Sequence, residues 1–354
     1  MTRNLYLGAD IDRLMIAVTT AQAQGASLEE ILVALGHATH AAREVVDRTD
    51  FTVRAPLLAD EIARTQPDLI GLQEVALWRR GALDLDNVGV PDATDVELDH
   101  LDVLLGELAT RGLDYAVVQV GSRADVEGPS FTGSPFDDTM AEASDVRLTM
   151  RDVILLRRDS ALSVIDSGDR VFAHNLAVSI AGVEMRFDRG YGWVDVSGSE
   201  GTFRFVNTHL EAFSADIALA QAGELLAGAP ATEGTTVLVG DFNSDPLDGS
   251  VLPGDHVPHR AAYELVTGGG FADEWLRRTP AHPGWTSGLS ETVDDATAAG
   301  FDHRIDLVLV RTPDRAGVPV EDGVVTGTDP ADRDPATGLW PSDHGGVVLR
   351  LQGL

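Results

Sequence analysis

The amino-acid sequence predicts a layered sandwich of the α/β or α+β class. Apolar residues recur at helical spacing in the first part of the chain, whereas short apolar segments bounded by turn residues dominate from Tyr115 onward. Helices alternate with these strands only in places, which argues against an all-α and an all-β fold. The sequence has no fixed-period repeat and no evident linker, so we expect a single domain over residues 1–354.

Residues 9–66 are predicted to be helical. The spacing i, i+3, i+4, i+7 occurs twice, first at Ile11, Leu14, Met15 and Val18 and then at Leu28, Ile31, Leu32 and Leu35. Ser27 and Glu30 complete a capping box at the start of the second helix. A third helix, residues 54–65, ends before Pro67.

Three more helices and a series of strands are predicted further along the chain. The helices are expected at residues 101–108, 217–226 and 261–266. After a first strand that contains Asn4, strands are expected at residues 69–75, 115–120, 153–156, 203–208, 236–239, 305–310 and 347–351. Residues 127–143 and 326–339 are rich in Gly, Pro, Asp, Ser and Thr, and are interpreted as long surface loops.

The charged residues restrict the possible chemistry. The chain carries 57 Asp and Glu against 26 basic residues, a formal net charge of −31, and all 26 basic residues are Arg. Without Lys there is no Walker-A phosphate loop, Schiff-base enzyme, Ser–Lys dyad or protein-kinase site. Without Cys there is no thiol nucleophile and no thiolate metal site. So large a negative charge also disfavours tight binding to nucleic acid or to an anionic membrane.

The sequence carries no membrane or targeting signal that we recognise. No stretch approaches the roughly 20 apolar residues that a membrane-spanning helix needs. Polar residues 2–4 lead directly into residues 5–7 without the long apolar region of a signal peptide. We expect a soluble protein, either cytoplasmic or secreted with its leader absent from this chain, and no obligate protein partner.

Polar side chains stand at the ends or starts of the predicted strands. They are Asn4, Glu74, His209, Asp241, Asn243, Asp306, Asp343 and His344. If neighbouring strands run antiparallel, the ends of some strands and the starts of others share one edge of a sheet. These groups can then converge at that edge.

This set of side chains is what phosphoester hydrolysis requires. The oxygen ligands Glu74, Asp343 and Asn4 suit Mg²⁺, Mn²⁺ or Ca²⁺ better than zinc. Such an ion polarises a phosphoryl oxygen and offsets its developing negative charge. The two histidines can donate to phosphate oxygens or exchange a proton with the attacking water, and a neighbouring acid fixes the tautomer of one of them.

Five motifs, in this order, resemble those of the endonuclease/exonuclease/phosphatase superfamily. They are Gln73-Glu74, Thr208-His209-Leu210, Gly240-Asp241-Phe242-Asn243, Ile305-Asp306 and Ser342-Asp343-His344. The superfamily includes pancreatic-type deoxyribonucleases, abasic-site endonucleases, bacterial sphingomyelinases and inositol polyphosphate 5-phosphatases. The resemblance extends from Asn4 to His344 and implies a four-layered α/β sandwich with two packed mixed β-sheets.

The resemblance also implies a metal site. Glu74 would be the principal ligand of a divalent ion, with Asn4 beside it and Asp343 contributing to the same ion or to a second one. Mg²⁺ is the expected ion, with Mn²⁺ or Ca²⁺ as alternatives.

The catalytic roles follow from the same resemblance. His344, oriented by Asp306, would be the acid/base residue at the phosphate. Asp241 would align or deprotonate the attacking water, while Asn243 and His209 would hold the phosphoryl oxygens of the transition state. The implied reaction is in-line attack by water without a covalent intermediate.

Two features depart from the compact members of the superfamily. The helices over about residues 9–50 form an insertion that is placed to rim or cover the cleft. Arg151 stands close to the position where nuclease-like members have a phosphate-contacting arginine, although the basic surface of abasic-site endonucleases is not evident.

We therefore predict a divalent-metal-dependent phosphoesterase, and more specifically a phosphodiesterase. Its phosphate-ester substrate stays open among nucleic acid, a phospholipid headgroup such as that of sphingomyelin, and a small ester; Arg151 favours a nuclease slightly and the net charge opposes it. A lipid phosphodiesterase should expose aromatic residues near the cleft, for which Trp285 and Trp340 are candidates. The alternative of another class is an inactive module that binds a phosphorylated ligand on the same fold.

Overall fold

Two large mixed β-sheets packed face to face, with helices on their outer surfaces, form most of the molecule, and a separate two-stranded sheet accompanies them. The computed structural model describes residues 1–180, 183–228, 230, 232–278 and 282–354. This architecture confirms the predicted α/β sandwich with two packed mixed sheets. In the described residues, no helix is both long and apolar enough to span a bilayer.

The described residues contain six α-helices and sixteen strands. The helices are α1 (Asp12–Ala23), α2 (Leu28–Arg48), α3 (Phe51–Thr65), α4 (His100–Thr110), α5 (Ala215–Ala227) and α6 (Ala261–Gly268). The strands are β1 (Thr2–Asn4), β2 (Leu69–Gln73), β3 (Leu77–Gly81), β4 (Asp95–Asp99), β5 (Tyr115–Thr132), β6 (Ala141–Arg157), β7 (Ser163–Val171), β8 (Leu176–Ile180), β9 (Val183–Phe187), β10 (Gly190–Gly198), β11 (Gly201–His209), β12 (Thr235–Asp241), β13 (Ala272–Asp273), β14 (Asp306–Arg311), β15 (Val320–Thr326) and β16 (Gly346–Leu351).

The strand order explains why distant motifs can meet. The first sheet has the order β15-β16-β1-β2-β6-β3-β4, with β5 also paired to β6, and the second has the order β13-β14-β12-β11-β10-β7. β1 with β2 and β11 with β12 are parallel pairs, whereas β16 and β14 run antiparallel to their neighbours β1 and β12. The ends of four strands and the starts of two therefore lie at the same edge.

Side-chain alternation along the strands builds a core on both faces of each sheet. In β2, Ile70 packs against α3 and α4, whereas Leu69 faces the second sheet. In β12, Val237 faces the first sheet, whereas Leu238 packs beneath α5 and α6. Both strands are buried almost throughout, because neither of their faces meets water.

A polar contact joins the two sheets just below the motif residues. Gln73 Nε2 donates to Asn207 Oδ1 at 2.6 Å, and Asn207 Nδ2 donates to the carbonyl of Leu72 at 2.9 Å. Gly71 leaves room for this contact, since a Cβ there would lie 2.6 Å from Asn207 Oδ1 and 2.7 Å from Val239 Cγ2. The sheets approach this closely because position 71 has no side chain.

The helices predicted near the N-terminus are confirmed as α1 and α2. The capping box is also confirmed, since Ser27 Oγ accepts from the Glu30 N–H at 3.3 Å and Glu30 Oε2 accepts from the Ser27 N–H at 2.7 Å. α2 packs along β5, where Gly36 lies against the ring of Phe131. The remaining predicted helices coincide with α3, α4, α5 and α6 to within a few residues.

The predicted surface loop over residues 127–143 is wrong. β5 runs to Thr132 and β6 begins at Ala141, so only residues 133–140 form the turn of a long hairpin. Glu127 is buried there and accepts a hydrogen bond from the Ala93 N–H at 2.8 Å. Packing against α2 holds this Gly-, Pro- and Ser-containing sequence in an extended conformation, which local composition does not reveal.

We expect Gly71→Ala to lower the free energy of unfolding by about 1–3 kcal/mol, because the added methyl group must displace Asn207 or separate the sheets. Gly106→Ala in α4 is the matched control, since nothing lies within 4 Å of its added Cβ. It should stabilise the protein by about 0.5–1 kcal/mol. Urea unfolding followed by circular dichroism measures both, and equal effects would contradict the close approach of the sheets.

Candidate active site

The predicted polar residues meet at one edge of the two sheets. The register of the second sheet places Asp241 opposite Asp306 on one side and opposite His209 on the other. In the first sheet, Asn4 lies opposite Gln73. The side chains that the structure brings to this edge are Asn4, Glu74, His209, Asp241, Asn243, Asp306, Asp343 and His344.

Three of these side chains form a buried cluster. His344 Nδ1 lies 2.8 Å from Asp306 Oδ2, and His344 Nε2 lies 3.8 Å from Asp241 Oδ2. One ligand atom from each of the three lies within 4.8 Å of the other two. Oδ1 of Asp306 is buried and has no hydrogen-bond partner among the described residues. An unsatisfied carboxylate oxygen in such a position is costly, and a cation held beside this cluster would offset the cost.

The first sheet places two of the predicted metal ligands, Asn4 and Glu74, beside this cluster. Asn4 Nδ2 donates to Asp241 Oδ2 at 3.1 Å, which links the two sheets, and Asn4 Oδ1 accepts from the Tyr6 N–H at 2.8 Å. Glu74 Oε2 accepts from the Leu7 N–H at 2.9 Å. The loop that follows β1 therefore fixes the orientation of both predicted ligands.

Several carboxyl groups at this edge disfavour one another's ionisation. Burial raises the pKa of Glu74, and the nearby carboxylate of Asp343 raises it further. Burial also raises the pKa of Asp343, although the positive charges of His344 and Arg54 oppose this effect. Burial raises the pKa of Asp241 to about 7. A divalent cation would remove this mutual repulsion, which is a second reason why the donor set fits a metal.

The two histidines differ in charge at neutral pH. Burial by itself would lower the pKa of His344, but three neighbouring carboxylates, Asp306 foremost, raise it well above its usual value. Burial lowers the pKa of His209, and the Arg189 guanidinium lowers it further. His344 is therefore a charged donor and His209 a neutral imidazole.

Arg189 is a residue of this group that sequence reasoning missed. Its side chain is buried immediately before β10, and Nη1 lies 2.8 Å from His209 Nδ1. Its Nε is buried and has no hydrogen-bond partner among the described residues. Arg189 follows an ordinary Asp and precedes Gly190, so no motif marks it. The one available signal is the absence of Lys, which leaves Arg, His and a bound metal ion as the possible cationic contacts of a phosphate.

The side chain of Arg151 forms hydrogen bonds with Val75 and Asp99 and, within the described part of the chain, with none of the other predicted site residues. Its Nε donates to the carbonyl of Val75 at 2.9 Å, and its two terminal nitrogens contact the carboxylate of Asp99. Asp99 in turn caps the N-terminus of α4. This arrangement ties β6 to the chain that follows β2.

Two fully buried arginines hold the segments that carry the site. Arg3 donates to the main-chain carbonyl of His344 and, at 2.9 Å, to Glu61 Oε1. Arg54 donates to the main-chain carbonyls of Leu5 at 2.8 Å, Tyr6 at 3.0 Å, Thr49 at 2.7 Å and Pro341 at 3.0 Å. The loop after β1 and the segment before β16 are therefore joined beneath the carboxylates.

The backbone is strained at three positions around the site. Tyr6, Glu74 and Asn243 have φ values of 59°, 54° and 44°, in the left-handed region that non-glycine residues avoid. Each such residue costs on the order of 1–3 kcal/mol and persists only where its surroundings enforce it. At Asn243 the surroundings are Asp241 Oδ1, which accepts from its N–H at 2.9 Å, and the carbonyl of Leu210, which accepts from Nδ2 at 3.0 Å.

Comparison with known proteins agrees with this geometry. The model of the Endonuclease/Exonuclease/phosphatase family matches residues 51–344. The chain belongs to this family. Members of the endonuclease/exonuclease/phosphatase family are phosphoester hydrolases that generally depend on a divalent metal ion, so the chain is an enzyme that hydrolyses phosphoric esters. No curated protein matches the sequence.

Solved structures share the fold at low sequence identity. A family member from Bacteroides thetaiotaomicron has a TM-score of 0.53 at 17% identity and covers 99% of this chain and 95% of its own. A family member from Leptotrichia buccalis has a TM-score of 0.51 at 16% identity, covering 84% and 92%. A mannosyl-6-phosphatase from Bacteroides thetaiotaomicron has a TM-score of 0.52 at 17% identity, covering 88% and 94%. These likenesses establish the fold.

We expect Mg²⁺ to raise the melting temperature of the protein and a chelator to reverse the change, because an ion that binds only the folded state stabilises it. The shift should grow with pH. The pKa of Asp241, raised to about 7, lies above its value of about 4 in an unfolded chain, so the metal-free folded state keeps a proton that the unfolded state has released. This contribution to stability is present below about pH 4, is lost progressively as the pH rises to about 7, and cation binding needs the same proton to leave.

The matched variants for this measurement are Glu74→Gln with Asp343→Asn, and Asp138→Asn on the exposed hairpin turn. The first pair should abolish the Mg²⁺-dependent shift, whereas Asp138→Asn should keep it. Differential scanning fluorimetry at several pH values measures the shift. A shift that survives the paired change, or that does not depend on pH, would contradict this metal site.

Proposed function

We propose that this enzyme is an Mg²⁺-dependent phosphodiesterase that hydrolyses a small phosphate ester by in-line attack of water. The observation that carries the proposal is the buried cluster of Asp241, Asp306 and His344, with ligand atoms within 4.8 Å of one another. The carboxyl groups of Glu74 and Asp343 lie beside it. When held by the carboxylates of Glu74 and Asp343, a divalent ion would polarise a phosphoryl oxygen.

Asp241 acts as the general base of the proposed reaction, and His344 acts as the general acid. A pKa of about 7 suits Asp241 to accept a proton from the attacking water at neutral pH. The hydrogen bond from Asn4 fixes the orientation of its carboxylate. His344, held by Asp306 and positively charged, donates to a phosphoryl oxygen or to the departing ester oxygen.

The phosphate itself would lie between these groups and Arg189. A guanidinium donates several hydrogen bonds in a plane and keeps its charge when buried, so Arg189 suits a non-bridging oxygen. Neutral His209 and the amide of Asn243 add polar contacts on the same side. Because carboxylates outnumber cations at this edge, a singly charged diester is repelled less than a doubly charged monoester.

A polymeric or lipid substrate receives less support than a small ester. The guanidinium of Arg151, which favoured a nuclease, contacts Asp99, and the net charge of −31 opposes the approach of a polyanion. Of the two aromatics considered for lipid binding, Trp340 is fully buried, and only Trp285 is exposed, at 43%. An inactive binding module is disfavoured because each predicted position carries a side chain able to do the chemistry.

With Mg²⁺ present, we expect hydrolysis of bis-p-nitrophenyl phosphate, slower hydrolysis of p-nitrophenyl phosphate, and neither in the presence of a chelator. His344→Ala and Asp241→Asn should each lower kcat for the diester by about 10²–10⁴-fold, because each removes a proton-transfer group. His256→Ala, whose side chain is 87% exposed, is the control and should keep the wild-type rate. Full activity in His344→Ala would overturn the proposed function.

The same assay distinguishes the proposed role of Arg189 in phosphate binding from a structural role of Arg151. Arg189→Met should lower kcat/KM for the diester by about 10²-fold, because it removes the cation that contacts the phosphate. Arg151→Met should instead lower the melting temperature with little change in kcat/KM, because Arg151 ties β6 to Asp99. The opposite pattern would restore Arg151 as the phosphate contact.

A further inference from the structure

A short extended segment connects His344 to a second histidine. Ser287 forms an antiparallel bridge with His344 on one side and with His303 on the other. The preceding residue, Thr286, donates to the carbonyl of His303 at 2.7 Å, and its own carbonyl accepts from the Gly345 N–H at 2.6 Å. Residues directly opposite each other in antiparallel pairs point to the same face. The side chains of His344, Ser287 and His303 therefore stand in a row.

This row leads from the buried site to solvent. The side chain of His344 is 9% exposed, Ser287 is half-buried, and the side chain of His303 is 48% exposed. Opposite Cβ atoms lie roughly 5 Å apart, so His303 stands about 10 Å from His344. The leaving group of a phosphate ester bound at His344 would extend along this row towards His303. Trp285, 43% exposed, precedes Ser287 by two residues and falls on the same face of the extended segment.

Hydrogen bonds fix this extended segment to the start of β14. Thr286 is fully buried, and its Oγ1 accepts from the N–H groups of Ile305 at 3.4 Å and Asp306 at 3.3 Å. Further along the same loop, the carbonyl of Glu291 accepts from the Tyr6 hydroxyl at 2.7 Å. A preformed surface loses little conformational entropy on binding.

The groups on this row suit hydroxyls. Asp302 Oδ1 lies 2.5 Å from His303 Nδ1 and so occupies that nitrogen, which leaves Nε2 available for a hydrogen bond to a ligand. The Ser287 hydroxyl both donates and accepts. The carboxylate of Asp302 at this end of the row would repel a second phosphate.

We propose that Trp285, Ser287 and His303 form a leaving-group subsite that selects phosphodiesters of a sugar or polyol. The hydroxyls of the leaving group hydrogen-bond to Ser287 Oγ and His303 Nε2, and its carbon face packs on Trp285. This inference rests on the proposed function, because it requires the phosphate to bind at His344.

The test compares glycerophosphoglycerol, which has a polyol on each ester oxygen, with bis-p-nitrophenyl phosphate, which has none. Ser287→Ala and His303→Ala should each lower kcat/KM for glycerophosphoglycerol about tenfold, the usual effect of one lost hydrogen bond. The value for bis-p-nitrophenyl phosphate should change by less than about twofold, since that substrate makes neither bond. His256→Ala is the matched control for His303→Ala and should change neither value.

The outcomes separate the inference from the function on which it rests. The subsite would be overturned if the Ser287 and His303 variants, with melting temperatures equal to that of the wild type, lost activity equally towards glycerophosphoglycerol and bis-p-nitrophenyl phosphate. It would also be overturned if they lost activity towards neither ester. Wild-type hydrolysis of the aryl diester alone would overturn the subsite and leave the proposed function intact. Wild-type hydrolysis of neither ester would overturn both.

Discussion

The constraint on which the rest of the structure depends is the burial of like-charged carboxyl groups where the two sheets meet. Burial and mutual repulsion raise the pKa values of Glu74, Asp241 and Asp343, which expresses a free-energy cost in the folded state. The fold tolerates this cost because the ends and starts of six strands converge at one edge. Positive φ values at Tyr6, Glu74 and Asn243 set the directions of the chain there, and the buried side chains of Arg3 and Arg54 hold the adjoining loops in place. A cation bound at this edge would replace this repulsion with attraction between the carboxylates and the ion.

The buried cations explain why a chain without Lys is suited to this arrangement. One Arg54 guanidinium donates to four main-chain carbonyls, whereas a Lys ammonium has only three donors and no plane. Burial lowers the pKa of Arg54 to about 10, so the group stays charged at neutral pH. A Lys that was equally buried would lose its charge more readily, and with it the attraction to Asp343.

Sequence pattern predicts those parts of the fold that are buried on both sides. β2 and β12 are almost wholly buried because helices cover one face and the other sheet covers the second, so their apolar centres are evident and their polar ends stand out as motifs. β4 and β7 are exposed along most of their length and show no alternation, which is why the sequence gives no sign of them. Arg189 and the row from Ser287 to His303 are equally hidden, because register between strands far apart in the chain brings them to the site.

A protein with a net charge of −31 can bind an anionic substrate only if the electrostatic potential at its active site differs from that of its surface as a whole. Solvent screens exposed charges beyond roughly 8–10 Å, so most of the 57 acids act weakly at the phosphate. Within that distance stand Arg189, charged His344 and the ion that the carboxylates would hold. A small ester can contact these cations while leaving the acidic surface behind, whereas a long polyanion must remain in contact with that surface. The size and charge of the substrate are therefore limited by the same acids that make the metal site possible.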